Sequence, residues 1–417
     1  MLRISLGLCF VLLFWVTVSG QDFANSWIET SKEYYKIEVV KDGMYRVSAS
    51  ELASAGVPVA NIAVGRYQLF RRGKEVAITR EDNGDGRLAY FEFYGKKNDG
   101  HGDTDLYIRP EAQPHTYYNL FTDTASYFLT WHLTSVAGKR MEFSSFKDAS
   151  GLTAQTFHID KSQQLQTGSY SSGVKYGSSF DIQNAIYEYG EGWTGPTTTK
   201  NQSRTFNFTL SQFNSSGPNP TVEVMLTGVS NFDHLTQISV GPSTSSLRNL
   251  GQADFDGRYS YKFSQEINWS DVGTNGELVV RVTSLGYPGQ TDAISVSYVN
   301  VDFAQNNSIS TSEKTYYFKD LSVNRGYVRI PTTSAATLSV FDVTDPWNVA
   351  RVTTTAFSDR LEFVYQDSSA TDRTFLVKSA NNQVADIQKV TMRNLSYASS
   401  DYYIIYHPVL NATTGGT

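Results

Sequence analysis

The sequence contains one cysteine, Cys9, and it lies within the first twenty residues. An early arginine, a long apolar run and two small residues make residues 1–20 a predicted cleaved signal peptide, with an uncleaved anchor as the alternative. Residues 21–417 contain no cysteine. This excludes disulfide bonds, zinc–thiolate sites and cysteine nucleophiles from that part of the chain. A fold that forms there must therefore be stabilised by burying apolar side chains.

The composition favours a fold made of strands. Of the 417 residues, 13% are aromatic and only 18% are charged, and the net charge is −6. Tyrosine, phenylalanine, threonine and valine are typical of strands, and the aromatic content argues against disorder. The acidic balance argues against a general nucleic-acid-binding protein, which would present a basic face.

Strand-like runs separated by turn sequences extend along most of the chain. We therefore predict a mainly β protein with tandem β-sandwich or jelly-roll-like domains. The predicted order is an N-terminal β domain over residues 21–143, a linker or long loop over 144–172, and a β-sandwich region over 173–395. That last region is either one unit or two, with a break near residue 310.

Turn sequences predict two hairpins near the N-terminus. The Lys-Asp-Gly turn at residues 41–43 separates two strand-like runs, and Arg72-Gly73 separates two more. Glycine after a polar residue supplies the positive φ that tight hairpin turns need. Each run is therefore expected to pair with the run that follows it.

The final segment, 396–417, has a different pattern. It contains the unbroken apolar run Tyr-Tyr-Ile-Ile-Tyr at 402–406, which is typical of a buried parallel strand. Such a strand needs neighbouring strands and covering helices. One interpretation is that an α/β domain begins here and is truncated. The other is a last sandwich strand followed by a frayed tail.

Residues 81–92 approximate a calcium-binding loop. Glu81, Asn83, Asp85 and Glu92 supply oxygen atoms at loop positions 1, 3, 5 and 12, and Gly86 fills the glycine position. The long first side chain and the strand-like flanks fit such a loop poorly, so a β-hairpin turn is the alternative. Calcium at this loop is a cofactor candidate, and a second acidic loop with Asp99, Asp103 and Asp105 is a weaker candidate for a metal.

Two tryptophans are candidates for a binding surface. Trp193 lies in the glycine-rich stretch 190–195, and Trp347 follows an Asp-Pro pair. Exposed rings there would stack on sugars, whereas an aromatic side chain that fills a tight corner is the alternative. No catalytic residue is assigned, because the histidines form no dyad or ligand spacing and no Gly-x-Ser-x-Gly motif occurs.

Five segments in a fixed order resemble one family. They begin near residues 34, 91, 189, 341 and 401 and read YYKI with DGMYRV, FEFYGKKNDG, YGEGWTG, FDVTDP and DYYIIYHP. Over roughly residues 27–410 the chain resembles the N-terminal half of type IX secretion system sortases, which are gingipain-like cysteine peptidases of Bacteroidota.

The resemblance implies a function for the complete protein. Such sortases remove C-terminal sorting signals from secreted cargo and attach the cargo to a surface glycolipid. In the family, β-rich domains precede a caspase-like α/β peptidase domain, whose opening strand matches residues 401–408. The family's catalytic histidine and cysteine lie further downstream, and His407 does not match that histidine. This chain is therefore expected to be a non-catalytic region that is inactive alone.

The resemblance also implies a location and partners. The protein is expected to be exported and to lie at the cell surface, at the outer membrane or in the periplasm. Its expected partners are cargo proteins with C-terminal sorting signals and other type IX outer-membrane components. No nucleic acid and no transmembrane span of the mature chain are expected. The alternative function is a free-standing secreted β-sandwich adhesin or glycan-binding module.

Overall fold

The computed structural model describes residues 26–144, 146–175, 185–318, 325–366 and 372–392. In these residues most of the regular structure is strand, which confirms the predicted mainly β class. The predicted signal peptide and the segment 396–417, including the predicted α/β strand, lie outside the described residues. Among the described residues, no helix is long and apolar enough to cross a membrane.

The first sandwich consists of two sheets near the N-terminus. Its sheets have the orders β28-β1-β7-β3-β4 and β2-β6-β5, and its core includes Tyr35, Ile37, Val47, Phe91 and Tyr127. Its elements are β1 (Tyr34–Val39), β2 (Gly43–Ser48), α1 (Ala49–Ser54), β3 (Tyr67–Arg71), β4 (Lys74–Val76), β5 (Glu81–Asp82), β6 (Leu88–Gly95), β7 (Ala125–Trp131) and β28 (Ile387–Val390).

The central sandwich packs the sheet β14-β19-β16-β17 against the strands β18-β15-β20-β10. Its pattern follows strand periodicity: in β14, Phe206 and Phe208 are buried while Thr205 and Asn207 are exposed. Its strands are β10 (Phe157–Leu165), β13 (Thr198–Thr199), β14 (Ser203–Thr209), β15 (Thr221–Gly228), β16 (His234–Ser243), β17 (Ser246–Phe255), β18 (Ser260–Glu266), β19 (Glu277–Ser284) and β20 (Ala293–Asn306). A separate pair, β11 (Ser169–Ser172) and β12 (Glu191–Thr194), lies beside it.

The third sandwich shares a sheet with the central one. Strand β10 pairs with β21 at Ile159 and Tyr317, so a ten-stranded sheet runs through both sandwiches. The facing sheet has the order β25-β26-β22-β9. The strands are β8 (Glu142–Ser144), β9 (Ala154–Gln155), β21 (Glu313–Phe318), β22 (Arg325–Pro331), β23 (Ser339–Asp342), β24 (Ala350–Val352), β25 (Thr354–Ala356), β26 (Arg360–Gln366) and β27 (Arg373–Lys378).

Short 3-10 helices connect several of these strands. They lie at Val59–Asn61, Gly100–Leu106, Pro110–Ala112, Trp269–Asp271 and Ala335–Thr337.

The first and third sandwiches are joined by an apolar interface and by strand pairing. Strand β28 returns to pair with β1, and β8 pairs with β24. The interface cluster consists of Met44, Ala77, Tyr94, Met141, Phe341, Val343, Val349 and Leu376. The domain boundaries predicted from the sequence, at residues 143, 172 and 395, stay a prediction.

One predicted hairpin is confirmed and the other is wrong. Around Arg72 and Gly73, which both have positive φ, β3 pairs with β4. Around residues 41–43 the chain instead crosses between sheets, because β1 pairs with β7 and β28 while β2 pairs with β6. Gly43 has φ 147°, and a Cβ there would lie 2.3 Å from Asn382 Nδ2. That glycine is therefore required by a close approach to the third sandwich, and no hairpin forms.

The segment 144–172, predicted as a linker or long loop, contains the strands β9, β10 and β11. Strand β10 pairs with β20 over nine residues. Its Ser- and Gln-rich sequence looks like a loop because most of its side chains lie on a polar, partly exposed sheet surface.

Candidate functional site

The predicted calcium loop forms the turn of a hairpin between β5 and β6. Asp82 Oδ1 accepts the backbone N–H groups of Gly84 at 2.7 Å and Gly86 at 3.0 Å. Asn83 and Asp85 each accept a backbone N–H two residues further on. Both glycines have positive φ. These contacts are the ones that the alternative, a β-hairpin turn, requires.

Glu92, the predicted twelfth-position ligand, has other partners. Its Oε1 accepts from Arg46 Nη2 at 2.8 Å and Asn381 Nδ2 at 2.7 Å, and it lies 3.4 Å from Lys378 Nζ. Glu81 is exposed on β5. In the part of the chain that the structure describes, no group of three or more histidine, cysteine, aspartate or glutamate residues could hold a metal. Calcium therefore remains a prediction without support from this geometry.

Arg46, Glu92, Lys378 and Asn381 form what we call the Glu92 cluster. It lies beside the interface cluster, and Lys378 Nζ is 5.4 Å from the centre of the Phe341 ring. Burial alone raises the pKa of Glu92, but Lys378, Arg46 and Asn381 outweigh burial and lower that pKa. Burial also lowers the pKa of Lys378, and Glu92 offsets this only in part. The sequence gives no signal for the cluster, because Glu92 lies 286 residues before Lys378.

Trp193 is a half-buried part of β12. Its indole N–H donates to the Leu120 carbonyl at 3.2 Å. Tyr118 and Tyr170 meet its ring edge-on, with centroids at 6.0 and 5.4 Å. The neighbouring Gly192 leaves room for the Tyr107 hydroxyl, 2.9 Å from where a Cβ would lie. The ring therefore fills a corner between β12 and the 118–120 loop, as the alternative interpretation predicts.

Replacing Trp193 with alanine should lower the free energy of unfolding by about 2–3 kcal/mol, since a half-buried indole is removed from a packed corner. Urea unfolding measures this change. Phe121→Ala is the control, because Phe121 is 70% exposed and a surface truncation should change stability by less than about 0.5 kcal/mol. Equal stability of wild type and the Trp193 variant would contradict the corner assignment.

Trp347 also packs against the protein. Its ring contacts the core of the first sandwich, and its indole N–H is 3.5 Å from the Arg71 carbonyl. The Lys74 ammonium lies 5.2 Å from the ring centroid. Trp347 therefore joins the 342–349 loop to the first sandwich, and the structure does not bring it together with Trp193 into one surface.

A buried polar cluster that sequence analysis did not predict lies in the central sandwich. His234 and Asp292 have fully buried side chains and are in direct contact. The other imidazole nitrogen, Nε2, donates to the Gly257 carbonyl at 2.6 Å, and the Ser284 hydroxyl donates to Asp292. Burial raises the pKa of Asp292, but hydrogen bonds from His234 and Ser284 outweigh it and lower that pKa.

These contacts differ from those of a hydrolase triad. In a triad the histidine lies between the serine and the acid, whereas here Ser284 and His234 both bind Asp292. Each imidazole nitrogen faces one oxygen, Nδ1 that of Asp292 and Nε2 that of Gly257. The arrangement is a buried hydrogen-bonded cluster that holds the 257 turn, β16 and the 284–292 segment together.

A polar row crosses the outer face of the central sandwich. Gln163 Nε2 donates to Asn300 Oδ1 at 3.0 Å, and Asn300 Nδ2 donates to Glu223 Oε1 at 3.3 Å. Lys262 Nζ lies 3.8 Å from Glu223. The strand register explains the row, because Gln163, Asn300 and Glu223 are directly opposite one another on β10, β20 and β15.

The 110–117 segment covers one end of this face and leaves a cleft. Tyr117 packs edge-on against Tyr298 with centroids 4.9 Å apart. Between the segment and the sheet lies a cleft of about 550 Å³, lined in part by Glu111, Glu223 and Lys262. That size is typical of ligand clefts. Its donors and acceptors suit binding of a polar group or a peptide segment.

Two buried histidines are held in the neutral form. His115, within the 110–117 segment, accepts the Tyr117 N–H through Nδ1 at 3.3 Å. His158 faces Asn307 Oδ1 with its Nδ1 at 3.0 Å. Burial lowers the pKa of His115 to about 4 and that of His158 to about 3.

Acidification from about pH 6.5 to about pH 4.5 should therefore destabilise the fold. In this window the unfolded chain protonates both imidazoles, while the folded chain does not, so stability falls as pH falls. The limiting slope is about 1.4 kcal/mol per pH unit for each histidine. Urea unfolding across this range measures it. His158→Gln should reduce the slope and the exposed His101→Gln should not; a flat profile for wild type would contradict the assignment.

The sheets described above define the chain as a tandem β-sandwich protein with buried polar clusters between its sheets. No protein-family model matches the sequence, and no curated protein matches it. Among solved structures it is similar to dimeric latent PorU from Porphyromonas gingivalis, with 14% identity and a TM-score of 0.59 over 88% of this chain and 34% of that chain. The chain thus spans about a third of the length of the PorU structure, and this likeness shows a shared fold.

A second similarity is local. It is to the CBM36-1 domain of a multidomain xylanase from the hindgut metagenome of Trinervitermes trinervoides, with 11% identity, 34% of this chain, 96% of that domain and a TM-score of 0.21. A TM-score this low carries no functional argument.

Proposed function

We propose that this chain is the non-catalytic N-terminal region of a type IX secretion sortase, a gingipain-like cysteine peptidase. The observation that carries the proposal is the fold it shares with latent PorU over 88% of its length. The order of the five sequence segments supports the same assignment. The complete protein would remove C-terminal sorting signals from secreted cargo and attach that cargo to the cell surface.

In this proposal the β-sandwiches position cargo or cover the peptidase domain. The absence of cysteine from residues 21–417 places the nucleophile outside them. A cysteine thiolate elsewhere would attack the scissile carbonyl, a histidine would transfer the proton, and an amine would resolve the acyl-enzyme. The interface between the first and third sandwiches supports a stiff platform for this role. The cleft beside Glu223 is the proposed contact for a cargo segment.

The proposed location is the cell surface or outer membrane after export by the signal peptide at residues 1–20. The free-standing glycan-binding alternative has less support, because Trp193 and Trp347 both pack within the fold.

Disruption of the gene in the source organism tests the proposal. Mass spectrometry of secreted cargo should show retained C-terminal sorting signals, with cargo released into the medium. The intact gene, supplied in trans, should restore signal removal and surface attachment. Cargo that is processed and attached normally in the disrupted strain would contradict the proposed function.

A further inference from the structure

The Glu92 cluster brings a buried amine, a side-chain amide and a carboxylate into mutual contact. Lys378 Nζ donates to Asn381 Oδ1. Glu92 Oε1 accepts from Asn381 Nδ2 at 2.7 Å and lies 3.4 Å from Lys378 Nζ. Lys378 is 6% exposed and Glu92 is 8% exposed. The amine thus lies against the amide carbonyl, and one carboxylate oxygen contacts both nitrogen atoms.

The surroundings favour a reactive amine. Lys378 is buried, and its Nζ lies 5.4 Å from the centre of the Phe341 ring, which belongs to the interface cluster. Burial in such surroundings disfavours the ammonium form of a lysine, and the neutral amine is the nucleophilic form. A carboxylate within reach of the amine can serve as the proton carrier.

We propose that Lys378 and Asn381 form an intramolecular isopeptide bond, with Glu92 as the group that transfers the proton. The Nζ lone pair of the neutral amine attacks Cγ of Asn381. One Nζ proton passes to Glu92 Oε1 and from there to Nδ2. The Nζ–Cγ bond forms, the Cγ–Nδ2 bond breaks and ammonia leaves. Neither partner is oxidised or reduced, and no further reactant is needed.

This bond would close the 378–381 turn where the third sandwich meets β2 and β6. It would give residues 21–417, which contain no cysteine, a covalent crosslink that needs no oxidant. The proposal is independent of the proposed sortase function, because it depends only on the three side chains.

The direct test is a tryptic map of the purified wild-type chain by tandem mass spectrometry. The expected result is one peptide that contains both Lys378 and Asn381, is uncleaved after Lys378 and lacks the mass of one ammonia. Lys378→Arg, Asn381→Ala and Glu92→Gln should each abolish this product. Lys389→Ala and Asn382→Ala are the matched controls and should retain it.

Because Glu92→Gln alone could unfold the protein, the wild-type map decides the proposal. A wild-type peptide of full mass, cleaved after Lys378, would overturn it. Loss of ammonia confined to the N-terminal glutamine, or a succinimide at Asn381 with normal cleavage after Lys378, would overturn it as well. Persistence of the linked peptide in Glu92→Gln would contradict the proposed proton transfer by Glu92.

Discussion

Replacing Asp292 with alanine should lower the free energy of unfolding by about 3–5 kcal/mol, because it leaves the buried His234 side chain without its carboxylate partner. His234 and Asp292 both have fully buried side chains. The Ser284 hydroxyl also loses its acceptor. Urea unfolding at neutral pH, followed by tryptophan fluorescence, measures the change.

Asp233→Ala is the matched control for this experiment. Asp233 is the same residue type, directly precedes His234 and is exposed, so its removal should change stability by less than about 0.5 kcal/mol. Asp292→Asn should fall between the two, since it keeps an acceptor for Nδ1 but not the charge. An Asp292→Ala variant as stable as the control would contradict a stabilising role for the buried contact between His234 and Asp292.

Replacing Glu92 with alanine should cost a similar amount, about 3–5 kcal/mol, since it leaves Lys378 buried and uncompensated beside Arg46. The expected loss includes the isopeptide bond proposed above, which needs the same carboxylate. Loosening should start at the interface between the first and third sandwiches, where Lys378 lies. Hydrogen exchange in β2, β6 and β27 should therefore increase first.

Glu81→Ala is the control for the Glu92 variant. It removes an exposed carboxylate from the same predicted calcium loop, and its stability should match wild type within about 0.5 kcal/mol. Two results together would contradict the Glu92 cluster assignment: an equal loss of stability in both variants, and an increase in stability on adding calcium that is confined to wild type. The loop would then be the stabilising element.

Local patterns in the sequence were enough to predict most strands of the central sandwich. In β14 buried and exposed residues alternate, and the first four residues of β15 alternate between partly buried and buried, so each strand can be read from its own residues. Strand β17 (Ser246–Phe255) gives no such signal, because its first residues show no alternation and are mostly exposed. The hairpin at residues 41–43 was wrong because pairing there is decided by β7 and β28, which are distant in sequence.

The polar clusters could not be predicted for the same reason. Glu92 was singled out as a calcium ligand from local spacing, and of its real partners Arg46 lies 46 residues before it while Lys378 and Asn381 lie more than 280 residues after it. Asp292 follows His234 by 58 residues, with no motif between them. Trp193 was noticed because of its glycines, and those glycines do mark a crowded corner. Composition and local spacing thus show that a position is unusual, while its role depends on contacts made by the whole fold.

The proposed sortase function is tested most directly by the reading frame that follows the Thr417 codon in the source genome. The expected result is an open frame of several hundred codons that encodes further apolar strands, then a histidine and then a cysteine in a peptidase domain. A stop codon directly after Thr417, found in independent isolates, would contradict the claim that this chain is the front region of a sortase.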